Sequence, residues 1–179
     1  MSLLVVFAHG KESGPWGSKI RALANVAQAH GAAVMSPDYQ GLDNADERVA
    51  RLLGLPLPPH EKLVLVGSSM GGYVATVASM RLKPAGLFLM APALYLDRPE
   101  YGEAAPSAGA RHTRIVMGWQ DELIPVGNVV RFAQAQRLPL QLVDDDHRLG
   151  ASQALLDLLF AQLIQQVLTD PTPAGGRSS

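Results

Sequence analysis

The 179-residue chain predicts an α/β fold: a six-stranded, mostly parallel sheet with helices on both faces. Three observations lead there. Short apolar runs alternate with helical patterns along the whole length. The longest runs are apolar at every position, not at every second one, as strands covered on both faces require. The residues able to do chemistry fall just after those runs, where open parallel sheets bind ligands.

Leu3–Ala8 is continuously apolar, partly β-branched, and opens the sheet. Ile20, Leu23, Ala24 and Ala27 share one helical face, and His30-Gly31 ends that helix. Ala33–Met35 is a brief strand closed by Ser36-Pro37-Asp38. Asp43–Leu53 reads as a helix with Val49, Leu52 and Leu53 inward, followed by a loop built on Pro56, Pro58 and Pro59. Leu63–Val66 is the second long strand and runs into Gly67-Ser68-Ser69-Met70-Gly71-Gly72. The helix that follows, from Met70 to about Leu82, is stopped by Lys83-Pro84. Leu87–Met90 and Ile115–Met117 are strands separated by a polar, Pro-containing stretch. Val126–Gln136 is helical and Leu140–Val143 is the last strand. A final helix from Gly150 to Leu168 is expected to bury Leu155, Leu156, Leu159, Leu163 and Val167. One domain over 1–168 follows, with 169–179 expected to be an unstructured tail because it has no core side chain.

Composition narrows the function. Hydrophobic residues make up 47% and charged residues 17%, the balance of a packed globule. The 15 Lys and Arg nearly cancel the 16 Asp and Glu, so nothing suggests a nucleic-acid partner. With no cysteine, thiolate catalysis, disulfides and zinc–thiolate sites are excluded. No run approaches the roughly 20 apolar residues that span a bilayer, and Met1–Ala8 has no basic leader. The expectation is a cytoplasmic protein acting on a small molecule, with no cofactor, no metal and no membrane partner. No feature sets an oligomeric state.

Gly67-Ser68-Ser69-Met70-Gly71 matches G-x-S-x-G between an apolar strand and a helix. A serine in that turn projects its hydroxyl at the sheet edge, beside a helix N-terminus that favours developing negative charge. The flanking glycines let neighbouring backbone approach without a Cβ clash. A serine nucleophile needs a base, and the base needs an orienting group. His147 directly follows the last strand; His30 and His112 have no such placement, and His60 precedes a strand at the far end of the sheet. Asp121, after Ile115–Met117, is the expected acid, with Glu122 and Asp97 as rivals. Gly10 permits a turn after the first strand, so the backbone N–H groups of Lys11 and Met70 form the expected oxyanion hole. His9 is read as a brace for that loop.

Taken together, His9-Gly10, Gly67–Gly71, the Gly118…Asp121…Pro125 segment and His147 resemble the α/β-hydrolase superfamily, and within it the small, nearly lidless bacterial esterase-like serine hydrolases. The resemblance runs from Leu3 to about Val167. It implies an α/β-hydrolase fold lacking two N-terminal strands, with a minimal cap of about twenty residues before Ile115. The implied activity is cleavage of small esters or thioesters through Ser69, His147 and Asp121 and an acyl-enzyme. Tyr39, Tyr95, Tyr101 and Trp119 are candidate pocket-lining aromatics. The competing expectation is a non-catalytic binding module on the same fold.

Overall fold

Six strands pair in the order β2-β1-β3-β4-β5-β6 in the computed structural model, which describes residues 1–171. They are β1 (Leu3–Ala8), β2 (Ala33–Met35), β3 (Lys62–Ser68), β4 (Gly86–Met90), β5 (His112–Gly118) and β6 (Leu140–Val143). Every pairing is parallel. The helices are α1 (Ser18–Ala29), α2 (Ala45–Leu53), α3 (Met70–Leu82), α4 (Val126–Gln136) and α5 (Gln153–Thr169). From β1 the chain steps outward to β2, then returns to place β3 on the other side of β1. The crossovers then put α1 on one face, where it packs against α5, and α2 with α3 on the other. The direction of travel reverses between β1 and β3, and a crevice opens beyond the carboxyl ends of those two strands.

Burial on both faces explains the unbroken apolar runs. Leu4, Val5, Val6 and Phe7 of β1 are each at most 1% exposed, and burying a side chain of this size contributes about 1.5–3 kcal/mol. Phe160 of α5 packs between Phe7 and Phe88, with ring centroids 6.5 and 5.2 Å away. That contact corrects the expected stripe on α5. The buried residues are Leu156, Phe160, Leu163, Ile164 and Val167, while Leu155 and Leu159 are only half-buried. A helix with leucines on several sides leaves its inward face to be chosen by the partner, here the two phenylalanines of the sheet.

Several boundaries also shift, two of them with a local cause. Helix α2 starts at Ala45, not Asp43, because the Asn44 side chain accepts hydrogen bonds from the N–H groups of Asp46 and Glu47. Order continues past the expected end at residue 168. Helix α5 runs to Thr169, and Asp170 is fastened by Lys62 Nζ on its carbonyl (2.6 Å), by Arg111 (2.8 Å) and by His112. The expected tail from residue 172 lies outside the described residues. Among the described residues no helix is long and apolar enough to cross a membrane.

Two features of the fold deliver the site. A Cβ on Gly71 would lie 1.9 Å from the Ala8 carbonyl oxygen, and one on Gly67 would lie 2.2 Å from that of Gly71. Only hydrogen fits at either place, so the start of α3 presses directly on the end of β1. The second feature is Asp145 in the β6–α5 loop. Its carboxylate accepts from the Asp146 N–H and the Ser152 hydroxyl, both at 2.8 Å. Burial alone would raise its pKa. Those bonds, with the N–H groups of Ala151 and Ser152, outweigh burial and hold it below the usual carboxylate value.

Gly71→Ala is expected to destabilise the protein by at least ~3 kcal/mol in urea unfolding. Gly127→Ala, in α4 with open space around the added methyl, should stabilise by about 0.5–1 kcal/mol. For Asp145 the folded pKa is depressed, so its contribution is complete above the unfolded pKa near ~4 and is lost as pH falls through the folded value. The stability gap between wild type and Asp145→Asn should therefore be widest near neutral pH and narrow on acidification, read by urea titrations at several pH values.

Candidate active site

Three loops leaving the carboxyl ends of β3, β5 and β6 meet at Ser69. The serine ends β3 and precedes the first residue of α3, with φ 55° and ψ −120°. A side chain rarely adopts that backbone, and several contacts hold it there. The Ser69 N–H donates to the Met90 carbonyl (3.0 Å), and its own carbonyl accepts from Gly72 and Ala93, both at 2.9 Å. The strained turn is thus clamped between α3 and the loop after β4.

Facing it, His147 Nε2 lies 3.0 Å from Ser69 Oγ, and His147 Nδ1 lies 2.7 Å from Asp121 Oδ2. The arrangement fits a neutral imidazole that donates from Nδ1 to the carboxylate and accepts the serine hydroxyl at Nε2. The Asp121 side chain has no exposed surface. Its other oxygen accepts from the N–H groups of Leu123 (2.9 Å) and Ile124 (2.8 Å), which fixes the carboxylate plane. Glu122 and Asp97 are exposed and form no hydrogen bond with His147. Lys19 of α1 is half-buried nearby; burial draws its pKa down against the pull of Asp145, Asp146 and Asp121.

The remaining sequence-predicted residues converge on the same point. Met70 is the first residue of α3, so its N–H has no intrahelical partner. Gly10 is buried against the turn at Ser69, where an added Cβ would sit 3.5 Å from Ser69 Cβ. The Lys11 side chain is exposed, and its backbone follows Gly10 around the turn. His9 is fully buried: Nδ1 donates to the Gly10 carbonyl (2.8 Å) and Nε2 accepts the Tyr39 N–H (2.9 Å). A ring used on both sides has no valence left for substrate. Burial lowers its pKa and the nearby Arg48 charge lowers it further, so the neutral form persists.

The aromatics divide. Tyr39 is fully buried beside His9, with ring centroids 5.4 Å apart, and burial pushes its phenol up to about 12. It belongs to the core and lines no open pocket. Tyr101 packs edge-on against Tyr73, and Tyr95 lies beneath the Arg131 guanidinium. Trp119 alone of the four is exposed, at 57%. A cavity of about 460 Å³ opens at the opposite end of the sheet, between Lys62, Leu82, Ala85, Arg111 and Val167, remote from Ser69. Among the described residues no group of three or more His, Asp or Glu is gathered to hold a metal ion.

Two residues that sequence reasoning passed over shape this site. Asp145, the middle of three consecutive acids, shapes the loop carrying His147. Arg48 was not singled out, although its spacing from Ala45 and Leu52 puts it on the inward face of α2.

The sequence pattern of the alpha/beta hydrolase family matches residues 5–175. No curated protein matches the chain by sequence. Among solved structures, an alpha/beta superfamily protein from Xanthomonas campestris pv. campestris, described as a hydrolase candidate, is 36% identical with a TM-score of 0.81. That alignment covers 93% of this chain and 99% of the other. A serine hydrolase without a lid from Xanthomonas campestris is 19% identical, with a TM-score of 0.71 and 94% and 84% of the two chains covered. Est1E from Butyrivibrio proteoclasticus, solved with ferulic acid bound, is 17% identical, with a TM-score of 0.72 and 93% and 90% covered. The last two likenesses are of fold. With the family pattern spanning nearly the whole sequence and a 36% identical structure of the same superfamily aligned over 93% of it, this chain belongs to the alpha/beta hydrolase family.

Proposed function

We propose that this protein is a serine hydrolase that cleaves small ester or thioester substrates through an acyl-enzyme on Ser69. The observation that carries the reading is the unbroken hydrogen-bonded chain from Ser69 Oγ through His147 to Asp121, built on a serine with positive φ. Strain at a single polar residue facing a base points to a nucleophile rather than a cap.

In the proposed reaction His147 Nε2 takes the Ser69 proton as Oγ bonds to the substrate carbonyl carbon. The N–H groups of Met70 and Lys11 hold the oxygen that becomes negative. Collapse of the adduct expels the alcohol or thiol, which leaves with the proton from His147. Water then attacks the acyl carbon as His147 removes its proton, and the adduct breaks down to the acid and free Ser69. Asp121 holds the imidazole tautomer and stabilises its charged form. Neither a metal nor an organic cofactor enters this sequence of steps.

An apolar, uncharged acyl group suits the surroundings. Trp16 is 40% exposed on the loop after β1, while Trp119 and Leu123, at 57% and 62%, flank Asp121 after β5. These side chains lie on loops at the end of the sheet that carries Ser69, where an apolar acyl group gains from covering them.

Purified protein should react with a fluorophosphonate probe, and Ser69→Ala should abolish the labelling; a folded wild type that stays unlabelled contradicts the nucleophile assignment. Asp121→Asn should leave the fold intact and lower kcat on short-chain esters by about 10⁴-fold, because the tautomer is then wrong. Glu122→Gln should change kcat by less than about twofold, measured on the same esters.

A further inference from the structure

Burying a guanidinium without a carboxylate partner carries a desolvation cost that hydrogen bonds must offset. Arg48 is 1% exposed, and no carboxylate lies within ion-pair distance of it among the described residues. Its hydrogen bonds go to main-chain carbonyls instead. Nε donates to Leu42 (2.7 Å), and Nη1 donates to both His9 (3.1 Å) and Gly10 (3.2 Å).

The last two bonds decide where two amides point. Every peptide bond described is trans, and in a trans peptide the C=O and N–H face opposite ways. With the His9 and Gly10 carbonyls turned onto one Arg48 nitrogen, the Gly10 and Lys11 N–H groups face away from it. Neither N–H donates to another protein group among the described residues. Gly10 itself lies against Ser69.

We propose that Arg48 is a positioning residue which locks the His9–Gly10 and Gly10–Lys11 peptide units, so that the Lys11 N–H is fixed beside the Met70 N–H toward the carbonyl attacked by Ser69, with the Gly10 N–H as a further donor on the same side. The inference rests on the reading of Ser69 as the nucleophile. A cation on the carbonyl side also polarises both peptide units and makes their N–H groups stronger donors. His9 is the second lock, since its Nδ1–H grips the same Gly10 carbonyl. Arg48 touches no substrate atom and acts through the backbone.

The test compares full-length wild type, Arg48→Met and Arg48→Lys by kcat and KM on p-nitrophenyl acetate, by Ki for phenylboronic acid, which mimics the tetrahedral adduct, and by crystal structures of the variants. Arg48→Met is expected to lower kcat about 30-fold with KM within about twofold, and to weaken boronate binding by a similar factor. Arg48→Lys should recover part of both, and the Gly10–Lys11 peptide should be turned in the Met variant. A residue that only staples α2 to β1 would lower Tm and leave kcat and boronate affinity per folded molecule intact, which overturns the proposal. Where Arg48→Met does not fold, the Lys variant decides: unchanged kcat, boronate affinity and peptide orientation overturn it. A wild type without turnover or fluorophosphonate labelling overturns the Ser69 reading and this inference with it. A labelled wild type whose variants keep the peptide unmoved overturns this inference alone.

Discussion

The start of α3 rests on the end of β1 with no side chain between them, and the site depends on that contact. Gly71 meets the Ala8 carbonyl where even a methyl group would overlap it, and Gly67 meets Gly71 in the same way. Close approach brings the free N–H at the head of α3 and the turn after β1 to one place. It also forces the intervening residue into left-handed backbone, so that Ser69 stands at the point where the sheet changes direction. Packing, strain and the location of the site are here consequences of one steric condition.

Around that point the work is divided among strand ends. Strand β3 supplies Ser69, β6 leads to His147 and β5 to Asp121, each on a short loop anchored by main-chain hydrogen bonds. Asp121 is held by the Leu123 and Ile124 amides, and the His147 loop is held by Asp145. The turn after β1 is held from below by His9 and Arg48. The cation spends its hydrogen bonds on carbonyls and stays unpaired with any acid, an arrangement that trades stability for a fixed direction of peptide dipoles. In the proposed reaction such preorganisation means that no dipole has to reorient as the oxyanion forms.

Much of this was legible in the sequence. The strands announced themselves because strands buried on both faces are apolar throughout, and the turn at Ser69 did so because Gly67 and Gly71 have a steric reason for flanking it. Position relative to strand ends separates His147 from His60 in the sequence alone. What stayed hidden depends on tertiary partners. The inward face of α5 is chosen by Phe7 and Phe88 from a helix with leucines all round. Tyr39 reads as a loop aromatic until the fold closes over it. Arg48 sits at an inward spacing, but arginine is so seldom buried that its pattern reads as a solvated face. Asp145, in a run of three acids, cannot be told from its neighbours without knowing which one finds Ser152.

The central claim is that Ser69 carries the acyl group during turnover. Rapid acid quenching of the protein with p-nitrophenyl acetate, followed by peptide mass mapping, tests it directly. The account predicts an acetyl adduct on the peptide containing Ser69, formed within the first turnover and decaying as acetate is released. Turnover with no adduct there, or an adduct on another residue, would contradict it.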